Sequence, residues 1–175
     1  TAWAKYGAAA DRSGGGHASG RLTAPFCLAG ALCLQLLAER GIMIGSHIER
    51  IGTAQDRRFS PLQVAPTDFA AVSSRALPVL EPAAGDEMAR QIAAAAAVGD
   101  SLGGVVECAA IGLPAGLGDP IFDGMENRIS RLIFAIPAVK GIEFGNGFAA
   151  AELVGSANND DYIIESGQIR TAGNN

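Results

Sequence analysis

Between Leu22 and Ala38 the chain carries no charged side chain, and its apolar residues (Leu22, Phe26, Leu28, Leu32, Leu34, Leu36, Leu37) fall on nearly every side of a helix. A helix that is apolar all round needs cover all round. The run therefore calls for a layered fold with this helix at its centre. Pro25, Gly30 and Gln35 interrupt it and it is short for a membrane span, so a buried core helix over residues 22–39 is expected, with Gly41 as its stop signal. Just upstream stands Ser13-Gly14-Gly15-Gly16-His17-Ala18-Ser19-Gly20-Arg21. Its glycines permit positive φ and close approach of the backbone. A glycine-rich loop opening a helix also leaves N–H groups pointing outward, which favours an anion. The same glycines suit a plain flexible turn. The residues alone leave both readings open.

The rest of the composition narrows the function classes. Of 175 residues, 49% are hydrophobic and only 18% charged, which fits helices buried on most sides or a surface that meets another segment. A net charge of −5 argues against general affinity for nucleic acid. Arg12, Arg21, Arg57 and Arg58 still leave room for a local positive site. Cys27, Cys33 and Cys108 lie in apolar runs without a CxxC pair, so buried thiols are expected, with neither a disulfide framework nor a zinc site. No signal-peptide pattern opens the sequence.

Further along, residues 42–52 alternate as a strand. Residues 53–82, with Pro61, Pro66, Pro78 and Pro82, read as surface loop with one short helix near Phe69 to Val72. Residues 86–98 are alanine-rich and helical, with Asp86 and Glu87 near the start. A strand over 102–111, a rigid turn over 113–120 and a helix over 125–136 follow. Residues 139–144 are expected as a strand, turning at Gly145-Asn146-Gly147 into a second over 148–154, and residues 155–175 as a polar, turn-rich tail. The expected class is α/β in its layered, α+β form.

Chemistry is sparse. His47 sits in a strand-like run and reads as structural or surface, whereas His17, inside the glycine loop, is better placed to donate to an anion. Ser19 lacks the GxSxG context of a hydrolase nucleophile. Asp119 and Asp123 flank Pro120 and read as a turn and a helix start. Lys140 and Glu143 read as a solvated strand edge. The residues taken singly reach an anion-binding loop and no reaction.

Four segments taken together go further. They are Lys5-Tyr6-Gly7 with the loop Ser13 to Arg21; Gly112-Leu113-Pro114-Ala115-Gly116-Leu117-Gly118-Asp119-Pro120-Ile121-Phe122-Asp123; Ile136-Pro137-Ala138-Val139-Lys140-Gly141-Ile142-Glu143-Phe144-Gly145-Asn146-Gly147-Phe148; and Gly155-Ser156 with Asn159-Asp160. In order and spacing they resemble the middle of chorismate synthases, across nearly the whole chain. The resemblance implies one partial domain over residues 1–175, with central helices sandwiched between antiparallel β-sheets.

It also implies a lyase that eliminates phosphate, 1,4-anti, from 5-enolpyruvylshikimate 3-phosphate to give chorismate in aromatic amino-acid biosynthesis. The family needs reduced FMN without net redox change, and some members reduce their flavin with NADPH. By resemblance His17, Ala18 and Ser19 lie on an FMN-binding loop and Pro137 with Ala138 form a second FMN contact. Ser19 matches a serine that assists proton transfer, and Arg21 an arginine suited to the substrate's phosphate or carboxylates. Many relatives carry Arg-Ser-Ser where this chain has His17-Ala18-Ser19. A cytoplasmic homotetramer without nucleic-acid, membrane or metal partners is implied. The family's two catalytic histidines, in Gly-Glu-Ser-His-Gly and His-Ala-Asp-Tyr motifs, belong upstream of Thr1, so an internal portion, inactive alone, is expected. The alternatives are an NADPH-dependent flavin reductase, for which no GxGxxG is present, and a non-catalytic flavin-binding or assembly module.

Overall fold

Helices and antiparallel strands are interleaved along the chain, whose computed structural model describes residues 2–10, 15–16 and 19–173. In order they are α1 (Ala2–Tyr6), α2 (Thr23–Ala38), β1 (Met43–Ile51), β2 (Ala54–Gln55), α3 (Pro66–Ser73), α4 (Pro82–Ala97), β3 (Gly104–Ile111), α5 (Met125–Ile133), β4 (Tyr162–Glu165) and β5 (Gln168–Thr171). The chain divides into two compact units. One comprises Thr1–Glu39 with Pro114–Ile142, and the other Arg40–Leu113 with Glu143–Asn175.

The second unit holds the packed core. β1 is central in a three-stranded sheet of order β2-β1-β3. It pairs antiparallel with β3 from Met43↔Ile111 to Ile51↔Gly104, and the register shifts between Ile48 and Arg50. Glu49 is the extra residue of that bulge, which re-aims the strand locally. Beneath the sheet, Phe59, Phe69, Val72 and Leu80 form one buried cluster. Ala54, Val79 and Met88 form another, with Ile48 and Ile51 against it. Gly45 lets α3 approach: a Cβ there would come within 2.1 Å of the Phe69 ring.

Local chemistry explains the helices of this unit. α3 opens with Pro66 at its first position, and the Asp68 carboxylate accepts the Ala65 N–H at 2.9 Å. α4 also opens on a proline, Pro82, so it starts before the expected residue 86. Asp86 and Glu87 consequently lie beyond its first turn, and Glu87 binds Arg90 and Gln91 instead. Gln91 also pins the β1–β2 turn, accepting from Thr53 N at 3.1 Å and donating to Thr53 Oγ1 at 3.0 Å. At the C-terminus Gly99 takes φ +73°, its N–H reaches Ala96 O, and the Asp100 N–H reaches Ala95 O. This is a Schellman stop, and it needs the glycine.

The C-terminal residues depart from expectation twice. Residues 139–144 form no strand, and 147–152 wind into a 3₁₀ helix, Gly147–Glu152, where a second strand was expected. An alanine-rich run favours helix over pleat, and the Glu143 carboxylate accepts the Phe148 N–H at its start. Glu143 is thus a helix-end acceptor rather than a strand-edge charge. The tail contains a hairpin, β4 with β5, paired Ile164↔Ile169 and Glu165↔Gln168. Ser166 and Gly167 both have positive φ (53° and 77°), as a two-residue hairpin turn of the I′ class requires.

In the first unit α2 forms as a 16-residue helix, but none of its residues is buried among the described ones. Leu28 is 68% exposed. Cys27 and Cys33 on α2, and Cys108 on β3, are free and exposed rather than buried. The run is apolar on all sides, and most of its side chains remain exposed. The amphipathic α5 ends in tighter turns through Ile136. For the isolated 175-residue chain, Met88→Ala is expected to lower the unfolding free energy by about 2–5 kcal/mol. Leu28→Ala is expected to change it by less than about 0.5 kcal/mol. Urea denaturation of both variants reads the contrast.

Candidate functional site

The glycine loop leads straight into α2. Gly15 and Gly16 have φ +81° and +50°, so the backbone there uses the left-handed region that glycine opens. The Ser19 N–H donates to Gly16 O at 3.1 Å. Ser19 itself is extended (φ −75°, ψ 139°), and its Oγ accepts the Arg21 N–H at 3.2 Å. It thereby caps the 3₁₀ turn Gly20–Leu22 that runs into α2, and Thr23 Oγ1 donates to Gly20 O at 2.7 Å. The Ser19 hydroxyl accepts in this contact and keeps its own proton to donate. Arg21 is exposed. His17 and Ala18 lie outside the described residues.

Pro137 and Ala138 sit on a turn after α5. The Val139 N–H donates to Ile136 O at 3.4 Å, closing four residues with Pro137 second and Ala138 third. Ala138 has φ +69°. That is the third position of a type II turn, where glycine is the usual residue. An alanine held there stores strain on the order of 1–3 kcal/mol, a cost found most often at binding and switch segments. Both residues are exposed, so the turn presents its backbone outward. Ser19, Arg21, Pro137 and Ala138 all belong to the first unit. No hydrogen bond or ion pair joins the two segments among the described residues.

Donors and shape at these two segments suit a flavin mononucleotide. An exposed arginine at a capped helix entry offers a positive charge to a phosphate. A left-handed, side-chain-poor turn offers bare backbone to a flat ring.

The second unit holds a polar cluster that single residues did not announce. The His47 side chain is fully buried, with Nε2 2.6 Å from Glu107 Oε2 and Nδ1 3.2 Å from Asp56 Oδ2. Its structural reading holds. Glu49 is buried and accepts from Arg58 Nε at 3.0 Å. Arg57 Nε donates to Glu81 at 2.8 Å. The Arg58 guanidinium is held above its ordinary value first by the Glu49 hydrogen bond, and Arg57 likewise by Glu81. Arg57 and Arg58 are thus compensated by carboxylates and add no free positive charge for an anion. The available signal was the spacing of His47 and Glu49, followed a few residues later by Asp56-Arg57-Arg58. Among the described residues no group of histidine, cysteine and acidic side chains is arranged to hold a metal ion.

A family profile described as chorismate synthase matches residues 1–175, the whole chain. The chain belongs to the chorismate synthase family. It is 44% identical over 177 aligned residues to chorismate synthase of Dehalococcoides mccartyi, covering 100% of this chain and 47% of that protein. It is 38% identical over 179 aligned residues to that of Lancefieldella parvula, covering 97% and 47%. A crystal structure of chorismate synthase superposes with TM-score 0.80 at 31% identity, covering 90% of this chain and 49% of the other. The chain thus spans about half the length of these relatives. Its α+β class, helices with antiparallel sheets, is that of the chorismate synthase fold.

Release of the strained backbone is measurable. Ala138→Gly is expected to raise stability by up to about 1 kcal/mol, and Ala138→Val to lower it by about 1–3 kcal/mol. Thermal unfolding of the two variants beside the parent protein checks both signs.

Proposed function

We propose that the protein containing this chain is a chorismate synthase, eliminating phosphate from 5-enolpyruvylshikimate 3-phosphate to give chorismate with reduced FMN. The observation that carries this is the family match over the whole chain; the two segments that the resemblance assigns to FMN also fall in one compact unit. Reduced FMN, when bound, supplies transient electron density to an elimination without net redox change. The chain's own residues bind, orient and exclude water. The backbone of Pro137 and Ala138 would hold the cofactor, together with His17, Ala18 and Ser19. The Ser19 hydroxyl, anchored by the Arg21 N–H, would hold a proton at Oγ for transfer once the flavin is bound. Arg21 receives the substrate's phosphate or a carboxylate.

The remaining half of the protein supplies the cover α2 lacks and the upstream histidines that complete the catalytic set. By length and composition the helical stretch Gly20–Ala38 is also apolar enough to cross a membrane. A helix at the centre of the family fold accounts for the same composition. We extend the proposal to a cytoplasmic homotetramer, in which surfaces such as α2 meet sheets and neighbouring copies, and to NADPH as a source of reducing equivalents for the flavin.

Anaerobic assay with reduced FMN tests the proposal. The intact protein is expected to release phosphate and form chorismate, whereas the 175-residue chain alone is expected to release none. In the intact protein Arg21→Ala is expected to lower kcat/KM by tenfold or more, about 1.4 kcal/mol, mainly through KM, with Arg21→Lys restoring part of it. Full activity of Arg21→Ala would remove that residue from the substrate site.

A further inference from the structure

We propose that Lys140 is a phosphate anchor, its ammonium and the neighbouring backbone N–H groups binding the phosphate of FMN or of the phosphorylated substrate. The proposal rests on the flavin and substrate reading given above.

The strand edge expected for Lys140 does not exist. Residues 139–144 form no strand, and the Glu143 carboxylate accepts the Phe148 N–H. Lys140 is exposed and makes no hydrogen bond or ion pair among the described residues. In the second unit, by contrast, Arg57, Arg58 and Arg90 are each paired with a glutamate. From Phe134 to Ile142 this ammonium is the one charged side chain, so nothing adjacent in sequence neutralises it.

The backbone around it is equally uncommitted. The Val139 N–H closes the turn on Ile136 O, but those of Lys140 and Gly141 make no backbone hydrogen bond among the described residues. Both residues are exposed. Gly141 has no positive φ, and a Cβ on it would meet nothing within 4 Å. Neither backbone angle nor packing among the described residues calls for glycine there. Close approach of a ligand to the backbone does. Two free N–H groups and an ammonium on successive residues match the several acceptor oxygens of a phosphate.

Position and charge point the same way. Two residues span at most about 7 Å, so the Lys140 Cα lies within that distance of Ala138. The strained turn at Ala138 (φ +69°) fixes where the lysine leaves the chain. FMN and the substrate carry one phosphate each, and Arg21 serves at most one of them. The other described cations of the first unit stand elsewhere, Lys5 over the Tyr6 ring at 5.4 Å and Arg128 and Arg131 on α5. Lysine suits the task as a compact charge with three donors.

Binding to the intact protein, read without turnover, tests this. Riboflavin is FMN without its phosphate, and quenching of flavin fluorescence reports both. Calorimetry with oxidised FMN present reports the substrate, 5-enolpyruvylshikimate 3-phosphate. Lys140→Ala is expected to weaken one phosphorylated ligand by about tenfold or more, and Lys140→Arg to recover part of the loss. Loss for FMN with riboflavin unchanged assigns the flavin's phosphate. Loss for the substrate with FMN unchanged assigns the substrate's. Parent affinities for both in Lys140→Ala would overturn the proposal, as would equal losses for FMN and riboflavin. Lys140→Gln, a second neutral variant, carries the same expectations should the alanine variant not fold. Failure of the parent itself to bind FMN would overturn the flavin reading and this proposal together, and is seen before any variant is made.

Discussion

One carboxylate gathers the second unit. Asp56 accepts the backbone N–H groups of Arg57, Leu80 and Glu81, and its own N–H donates to Glu49 O at 2.8 Å. These four bonds fix the end of the β1–β2 hairpin against the entry of α4, and His47 sets the same group against the sheet. Burial of such a group is costly unless all its acceptor sites are used. Leu80, whose N–H Asp56 accepts, belongs to one core cluster with Phe59, and the neighbouring Val79 belongs to the other with Met88. Gly45 and the Glu49 bulge are the backbone adjustments that let α3 and the charged side chains fit there.

The first unit is governed by the opposite constraint. α2 has the composition of a core helix and none of its residues is buried among those described. Its N-terminal end is nevertheless built in detail, with left-handed glycines, a serine cap and an exposed arginine. The turn at Pro137-Ala138 is equally specified, to the point of holding an alanine in a glycine conformation. Local structure at these two segments is thus set by nearby sequence, while α2 leaves its apolar sides accessible.

Elements governed by local chemistry were legible in the sequence. Strand β1, helices α2 and α5, and the short helix at Phe69 followed from periodicity and stop signals. The start of α4 was misplaced because Pro82 reads as a loop residue until it is recognised as a first-turn proline. The run Phe148 to Glu152 was misread because Gly145-Asn146-Gly147 is a hairpin signal that here feeds a helical turn. The β4–β5 hairpin was missed: its Tyr-Ile-Ile-Glu alternation is short and surrounded by polar residues.

For the candidate site, family likeness pointed to His17, Ala18, Ser19, Arg21, Pro137 and Ala138, but only the backbone angle revealed the strain at Ala138. His47 and Glu107 are 60 residues apart, and no periodicity within either strand reports such a pairing.

The most direct test of the account is a crystal structure of the intact protein soaked with FMN. The flavin is expected to lie with its ring or phosphate within hydrogen-bond distance, about 3 Å, of the Ala138 turn backbone and of the Ser19 loop. A flavin bound elsewhere, with both segments facing solvent, would contradict it.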